Sequence, residues 1–154
     1  MLFRSVAGGY KAIDTLRLEK GYRYWSGEIS PDYTPYEAGM GFAVKLDKVD
    51  FIGKDALLKQ KKEGIKQKLC CITLADDRTI ALGKEPIREG EKIVGWVASG
   101  GYGYSVAKSI AFAYLPLEYS KVGTKLEIEV FGEKFGAVVD QPILWDPKGE
   151  RIRS

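Results

Sequence analysis

Beyond Lys66 the apolar residues of this chain stop recurring at helical spacing and fall on alternate positions. The pattern is cleanest in residues 125–131, where Leu126, Ile128 and Val130 share one face and Lys125, Glu127 and Glu129 the other. A strand with one apolar face must bury it, and further strands are expected at 68–74, 92–99, 109–115 and 135–139. The link Gly132-Glu133-Lys134 reads as a tight hairpin. Gly100, Gly101 and Gly103 read as the break between two other strands, and Trp96 as core. Several short strands with polar outer faces leave unpaired edges unless the sheet closes on itself. The expectation is therefore a small antiparallel β-barrel of about six strands.

The first third has another character. Val6, Tyr10, Ile13 and Leu16 lie near helical spacing, which predicts a short helix from about Tyr10 through Leu18, stopped by Gly21. Residues 22–42 hold Pro31, Pro35 and several glycines, yet also Tyr22, Tyr24, Trp25, Tyr33, Tyr36 and Phe42. A loop that rich in rings either packs as a buried Ω-loop or lines a flat, aromatic ligand site. Residues 54–63 predict a second helix, with Leu57 and Leu58 inward, Phe51 and Ile52 stapling its start and Gly64 as its stop. Lys59, Lys61, Lys62, Lys66 and Lys68 read as a solvated face. The change of period places a boundary near residues 65–67. The fold class expected is α+β: a small α/β segment over 1–65, then the barrel over 66–154.

Composition narrows the chemistry. The chain of 154 residues has no histidine, which removes Ser-His-Asp and Cys-His triads and the commonest metal ligand, so no metal is expected. Cys70 and Cys71 are neighbours whose side chains point to opposite faces of a strand; they read as small buried thiols. A net charge of +3 does not argue for nucleic acid, and no apolar run reaches the ~20 residues of a membrane span. A soluble, intracellular protein is expected.

The segment Asp14-Thr15-Leu16-Arg17-Leu18-Glu19-Lys20-Gly21 resembles the D-[ST]-L-R-[LI]-E-x-G signature of the glycine-cleavage T-protein (aminomethyltransferase) family. Tyr22-Arg23-Tyr24-Trp25, Glu28, Pro31-Asp32 and Thr34 to Gly39 are similar to the branch fused to dimethylglycine and sarcosine dehydrogenases. Gly41 to Lys45, Phe51 to Leu57, Gly95, Ala98-Ser99-Gly100, Gly103-Tyr104 and Lys108 to Ala111 continue the likeness in order. The resemblance implies the C-terminal portion of a module that transfers a one-carbon unit to tetrahydrofolate, ending in a small barrel. The family's catalytic aspartate lies before the signature, and none of Asp14, Asp32, Asp47 or Asp50 matches it, so no catalytic residue is expected here. Ile13 stands where T-proteins commonly carry an arginine.

The resemblance also implies a partner, the missing N-terminal half of the module, in cis or in trans; a homo-oligomer is the other association considered. By the same resemblance the compartment is the cytoplasm, or the mitochondrial matrix if the source is eukaryotic. The residues singled out for tetrahydrofolate are Tyr24 and Trp25, by stacking, with Arg17 and Glu28 as polar contacts. Each has a plainer reading: the rings cover core, Arg17 and Glu19 clamp the helix end, and Glu28 caps the turn before Pro31. Lys108, after the glycine-rich stretch, could meet an anion. The rival readings of the chain are a non-catalytic barrel that docks on a separately encoded catalytic subunit, or an inactive fragment.

Overall fold

A computed structural model describes residues 8–153; Val6, counted above in the helical pattern, lies outside them. Helix α1 runs Tyr10–Lys20 and α2 Lys54–Glu63. Six strands follow: β1 Gln67–Leu74, β2 Pro86–Glu89, β3 Lys92–Gly103, β4 Lys108–Pro116, β5 Lys125–Val130 and β6 Glu133–Asp140. They close antiparallel in the order β1-β4-β3-β2-β5-β6, with β6 returning to β1, so no edge is left open. A short last helix, α3, spans Glu150–Arg153. Among the described residues no helix is long and apolar enough to cross a membrane.

The end of α1 follows from Gly21. It adopts φ 71° and donates to the Leu18 carbonyl, while Tyr22 N–H reaches the Arg17 carbonyl. That is a Schellman closure, which favours glycine because a side chain resists the left-handed conformation.

Two apolar layers hold the barrel. The inner one is drawn wholly from strands and loops of the barrel, with Ile72, Ile87, Val97, Leu115, Ile128 and Val139 essentially inaccessible. The outer one joins Leu69, Cys71, Ile110, Phe112 and Tyr114 of β1 and β4 to Leu18 of α1 and Ala38 of the loop. Cys70 and Cys71 are free thiols in different layers, as their alternation requires. Burial pushes Cys70 up to about 11 and Cys71 up to about 12.

The structure corrects several expectations. The glycines at 100, 101 and 103 do not break the sheet; β3 runs through all of them, and the turn is made by residues 104–107. Register explains their role. Val97 pairs with Ala113 and Ser99 with Phe112, so Ala98 is the extra residue of a β-bulge. The bulge turns Ser99, Gly101 and Gly103 to the outer face, under α1. A Cβ on Gly101 would come within 3.0 Å of Leu18 Cδ1, and one on Gly103 within 3.0 Å of Glu19 Cγ. The glycines let the helix sit down on the strand.

Trp96 pairs with Tyr114 on that outer face and is 55% exposed, so it is not barrel core. Trp96→Ala is accordingly expected to cost less than about 1 kcal/mol in urea denaturation, well short of a buried ring. Ile52 is fully exposed and Leu58 is exposed, so neither staples nor anchors α2. The β5–β6 link is the two-residue pair Phe131-Gly132, both at positive φ, with β6 starting at Glu133. The sixth strand, β2, carries no alternation to mark it in the sequence: it has four residues, begins at a proline, and buries only Ile87 fully.

Candidate functional site

The C-terminal end of α1 and the loop after it are tied to the barrel through one buried carboxylate. Glu28 is 0% exposed. Its Oε1 takes a 2.6 Å hydrogen bond from Arg17 Nη1 and one from the Ser99 hydroxyl; its Oε2 accepts from Tyr24 N–H at 3.1 Å. Its backbone carbonyl accepts from Tyr114 Oη at 2.7 Å, and the Tyr33 ring stacks on Tyr114 with centroids 3.5 Å apart. Burial and the neighbouring Tyr33 push the Tyr114 hydroxyl above its ordinary range, which keeps it a donor.

Arg17 is fixed on three sides. Nε donates to Asp14 at 2.8 Å, Nη1 to Glu28, and the guanidinium lies 4.4 Å from the centre of the Tyr24 ring. Burial lowers its pKa, but the hydrogen bonds and charges of Glu28 and Asp14 outweigh that and leave the cation more firmly protonated than usual. The last two residues of α1 are anchored as well. Glu19, also buried, accepts from Ser105 N–H at 2.7 Å, and its backbone carbonyl accepts from the N–H groups of Leu144 and Trp145. Lys20 pairs with Asp146 at 2.9 Å and lies over the Trp145 ring.

Two clefts flank Arg17. One, about 410 Å³, is walled by Ile13, Leu16, Lys20, Tyr22 and Trp145; the other, about 290 Å³, by Tyr10, Asp14, Tyr22, Arg23 and Tyr24. Tyr10, Ile13 and Leu16 form an exposed apolar stripe at i, i+3 spacing beside them.

Of the four residues singled out from sequence, Arg17, Tyr24 and Glu28 come together. Trp25 does not join them: it is 65% exposed and lines neither cleft. Glu28 lies beneath the clefts with both oxygens engaged, which is the turn-holding reading extended to the barrel. Lys108 pairs with Asp140 at 3.0 Å, and the glycines before it form strand rather than an anion cradle. Sequence reasoning did not find Ser99, Tyr114, Arg23 or Trp145. Ser99 gave no signal because its face depends on the bulge at Ala98. Arg23 stands between Tyr22 and Tyr24 in the aromatic run, where the rings are the stronger pattern.

Residues 67–146 match the glycine cleavage T-protein C-terminal barrel domain, and residues 3–48 match the GCVT N-terminal domain. Human mitochondrial dimethylglycine dehydrogenase is 44% identical over 148 residues, 94% of this chain and 17% of that protein. Human mitochondrial sarcosine dehydrogenase is 34% identical over 157 residues, and the aminomethyltransferase of Symbiobacterium thermophilum 42% over 141. The chain spans 17% of that sarcosine dehydrogenase and 37% of that aminomethyltransferase. Among solved structures, the glycine cleavage system aminomethyltransferase T from Bartonella henselae superposes with a TM-score of 0.78 at 30% identity, covering 84% of this chain and 37% of that one. With the barrel, its helix and its signature all matched in order, the chain belongs to the glycine cleavage T-protein family.

Proposed function

We propose that this chain is the C-terminal portion of a tetrahydrofolate-dependent module for aminomethyl or one-carbon transfer, of the kind that serves dimethylglycine or sarcosine oxidation or glycine cleavage. The observation that carries the proposal is the pair of clefts around Arg17, which combine aromatic walls with a fixed guanidinium and fall near the size of small-ligand sites. Tyr24 offers a ring and Arg17 a preoriented donor, with Trp25 exposed outside both clefts; Glu28 and Ser99 hold Arg17 in place. Tetrahydrofolate, when bound, supplies the nitrogen that accepts the one-carbon unit.

The chain's own carboxylates near the clefts are committed. Asp14 and Glu28 both serve Arg17, so neither is free to move a proton. The module's N-terminal half therefore supplies that group, and the apolar stripe of Tyr10, Ile13 and Leu16 is the face it covers. That stripe also supports a second reading, a barrel that docks on a separately encoded catalytic subunit. The setting proposed is the cytoplasm, or the mitochondrial matrix in a eukaryotic source; the two human relatives are named as mitochondrial.

The test is titration with tetrahydrofolate, read by tryptophan fluorescence, together with an assay of one-carbon transfer from an aminomethyl donor. Saturable binding without turnover is expected. Tyr24→Ala should weaken binding about three- to tenfold, the worth of one stacked ring, and Trp25→Ala should do so by a smaller factor. If no binding is seen until an N-terminal half is added, the docking reading is the right one. Turnover by the chain alone would defeat both.

A further inference from the structure

Arg23 follows the helix signature by two residues, and among the described residues its charge has no direct counter-ion. Its guanidinium makes one hydrogen bond, from Nη1 to the Gly21 carbonyl at 3.2 Å, and its Nε is buried without a partner. Nη2 lies against Gly39, where an added Cβ would be only 3.1 Å away. Burial holds the guanidinium below its usual pKa, an effect that the fields of Tyr114 and Glu28 only partly offset. Glu28 is already taken by Arg17, Ser99 and the Tyr24 N–H, and Asp14 by Arg17. A half-buried cation left in this state costs stability unless an anion reaches it.

The surroundings say which anion. Arg23 is a wall common to the 290 Å³ cleft and to a second of about 210 Å³ lined by Gly21, Tyr22, Met40 and Phe42. The second has an apolar rim, with Phe42 76% exposed, and Arg23 is its one charged wall. A phosphate dianion would ask for more donors than one guanidinium supplies. A carboxylate asks for one planar fork, and an apolar body suits the rings beside it. We infer that Arg23 anchors a carboxylate site, which takes a small monocarboxylate with a flat apolar body lying against Tyr22 and Phe42. The site shares Arg23 and Tyr22 with the 290 Å³ cleft assigned to tetrahydrofolate, while Met40 and Phe42 line the 210 Å³ cleft alone.

The probe is benzoate, titrated into the full chain and followed by amide NMR shifts, with benzamide as its uncharged isostere. Benzoate should bind with a dissociation constant on the order of 1 mM, the scale open to so small a ligand. Benzamide should bind at least about tenfold more weakly. Arg23→Gln should lose at least about tenfold in benzoate affinity, and Arg23→Lys should fall between the two, since it keeps the charge and loses the fork. Arg78→Gln, at an exposed arginine away from the clefts, should change nothing. Equal binding by Arg23→Gln, equal binding of benzamide, or no saturable shift below about 50 mM would overturn the site.

Stability gives a second readout. Arg23→Met should unfold at the same urea midpoint as the parent or a higher one, because it removes a lone buried charge. A clearly lower midpoint would mark Arg23 as a structural residue and overturn the inference as well. Failure of tetrahydrofolate to bind while benzoate does would count only against the folate reading.

Discussion

Glu28→Ala should destabilise the protein by about 3–5 kcal/mol, the loss usual when one member of a buried ion pair is removed. The substitution strands the Arg17 guanidinium, the Ser99 hydroxyl and the Tyr24 N–H together, all of which converge on that carboxylate. Urea denaturation followed by circular dichroism measures it. Glu28→Gln keeps the shape and one acceptor oxygen, and should cost less, about 1–3 kcal/mol. The double variant Glu28→Ala/Arg17→Met should recover part of the loss, because the orphaned cation goes with its partner. A loss below about 1 kcal/mol for Glu28→Ala would show that the network does not join the loop to the barrel in solution.

Phe112→Ala is expected to cost about as much, roughly 3–5 kcal/mol, by opening a cavity between β4 and α1. Phe112 is 1% exposed and sits in the outer layer, where the barrel meets Leu18 and Ala38. A single cooperative transition, shifted as a whole, is the expected trace. Two separated transitions would mean that α1 and its loop melt apart from the barrel. The division proposed from sequence, 1–65 and 66–154, comes from the change of period near residues 65–67; the inner layer is drawn entirely from the barrel side. The outer layer argues for caution in cutting there: residues 66–154 alone would leave Leu69, Ile110, Phe112 and Tyr114 uncovered, and such a patch is adhesive.

Much of the architecture was legible because it rests on local rules. Alternation at Leu126, Ile128 and Val130 requires a half-buried strand wherever that segment lies, and Gly21 ends a helix in any surroundings. The failures share a cause. Gly100, Gly101 and Gly103 look like a turn when read along the chain, yet they are the floor on which α1 packs. Trp96 has the composition of core, but its pairing with Tyr114 sets it on the outer face at a place α1 does not cover. Ile52 and Leu58 look like anchors for α2, and no layer of this structure comes to meet them.

The candidate site divides along the same line. Sequence by itself determined the α+β order, the barrel and the gathering of Arg17, Tyr24 and Glu28 within a dozen residues, because period, turn chemistry and a collinear signature are properties of the chain. Only the tertiary structure decided that Glu28 faces inward to Ser99, that Trp25 stays outside the clefts, and that Arg23 is left without a carboxylate. The first of those outcomes hangs on one extra residue in β3. The bulge at Ala98 changes which face every later residue of the strand presents, and a register shift of that kind leaves no mark on composition or spacing.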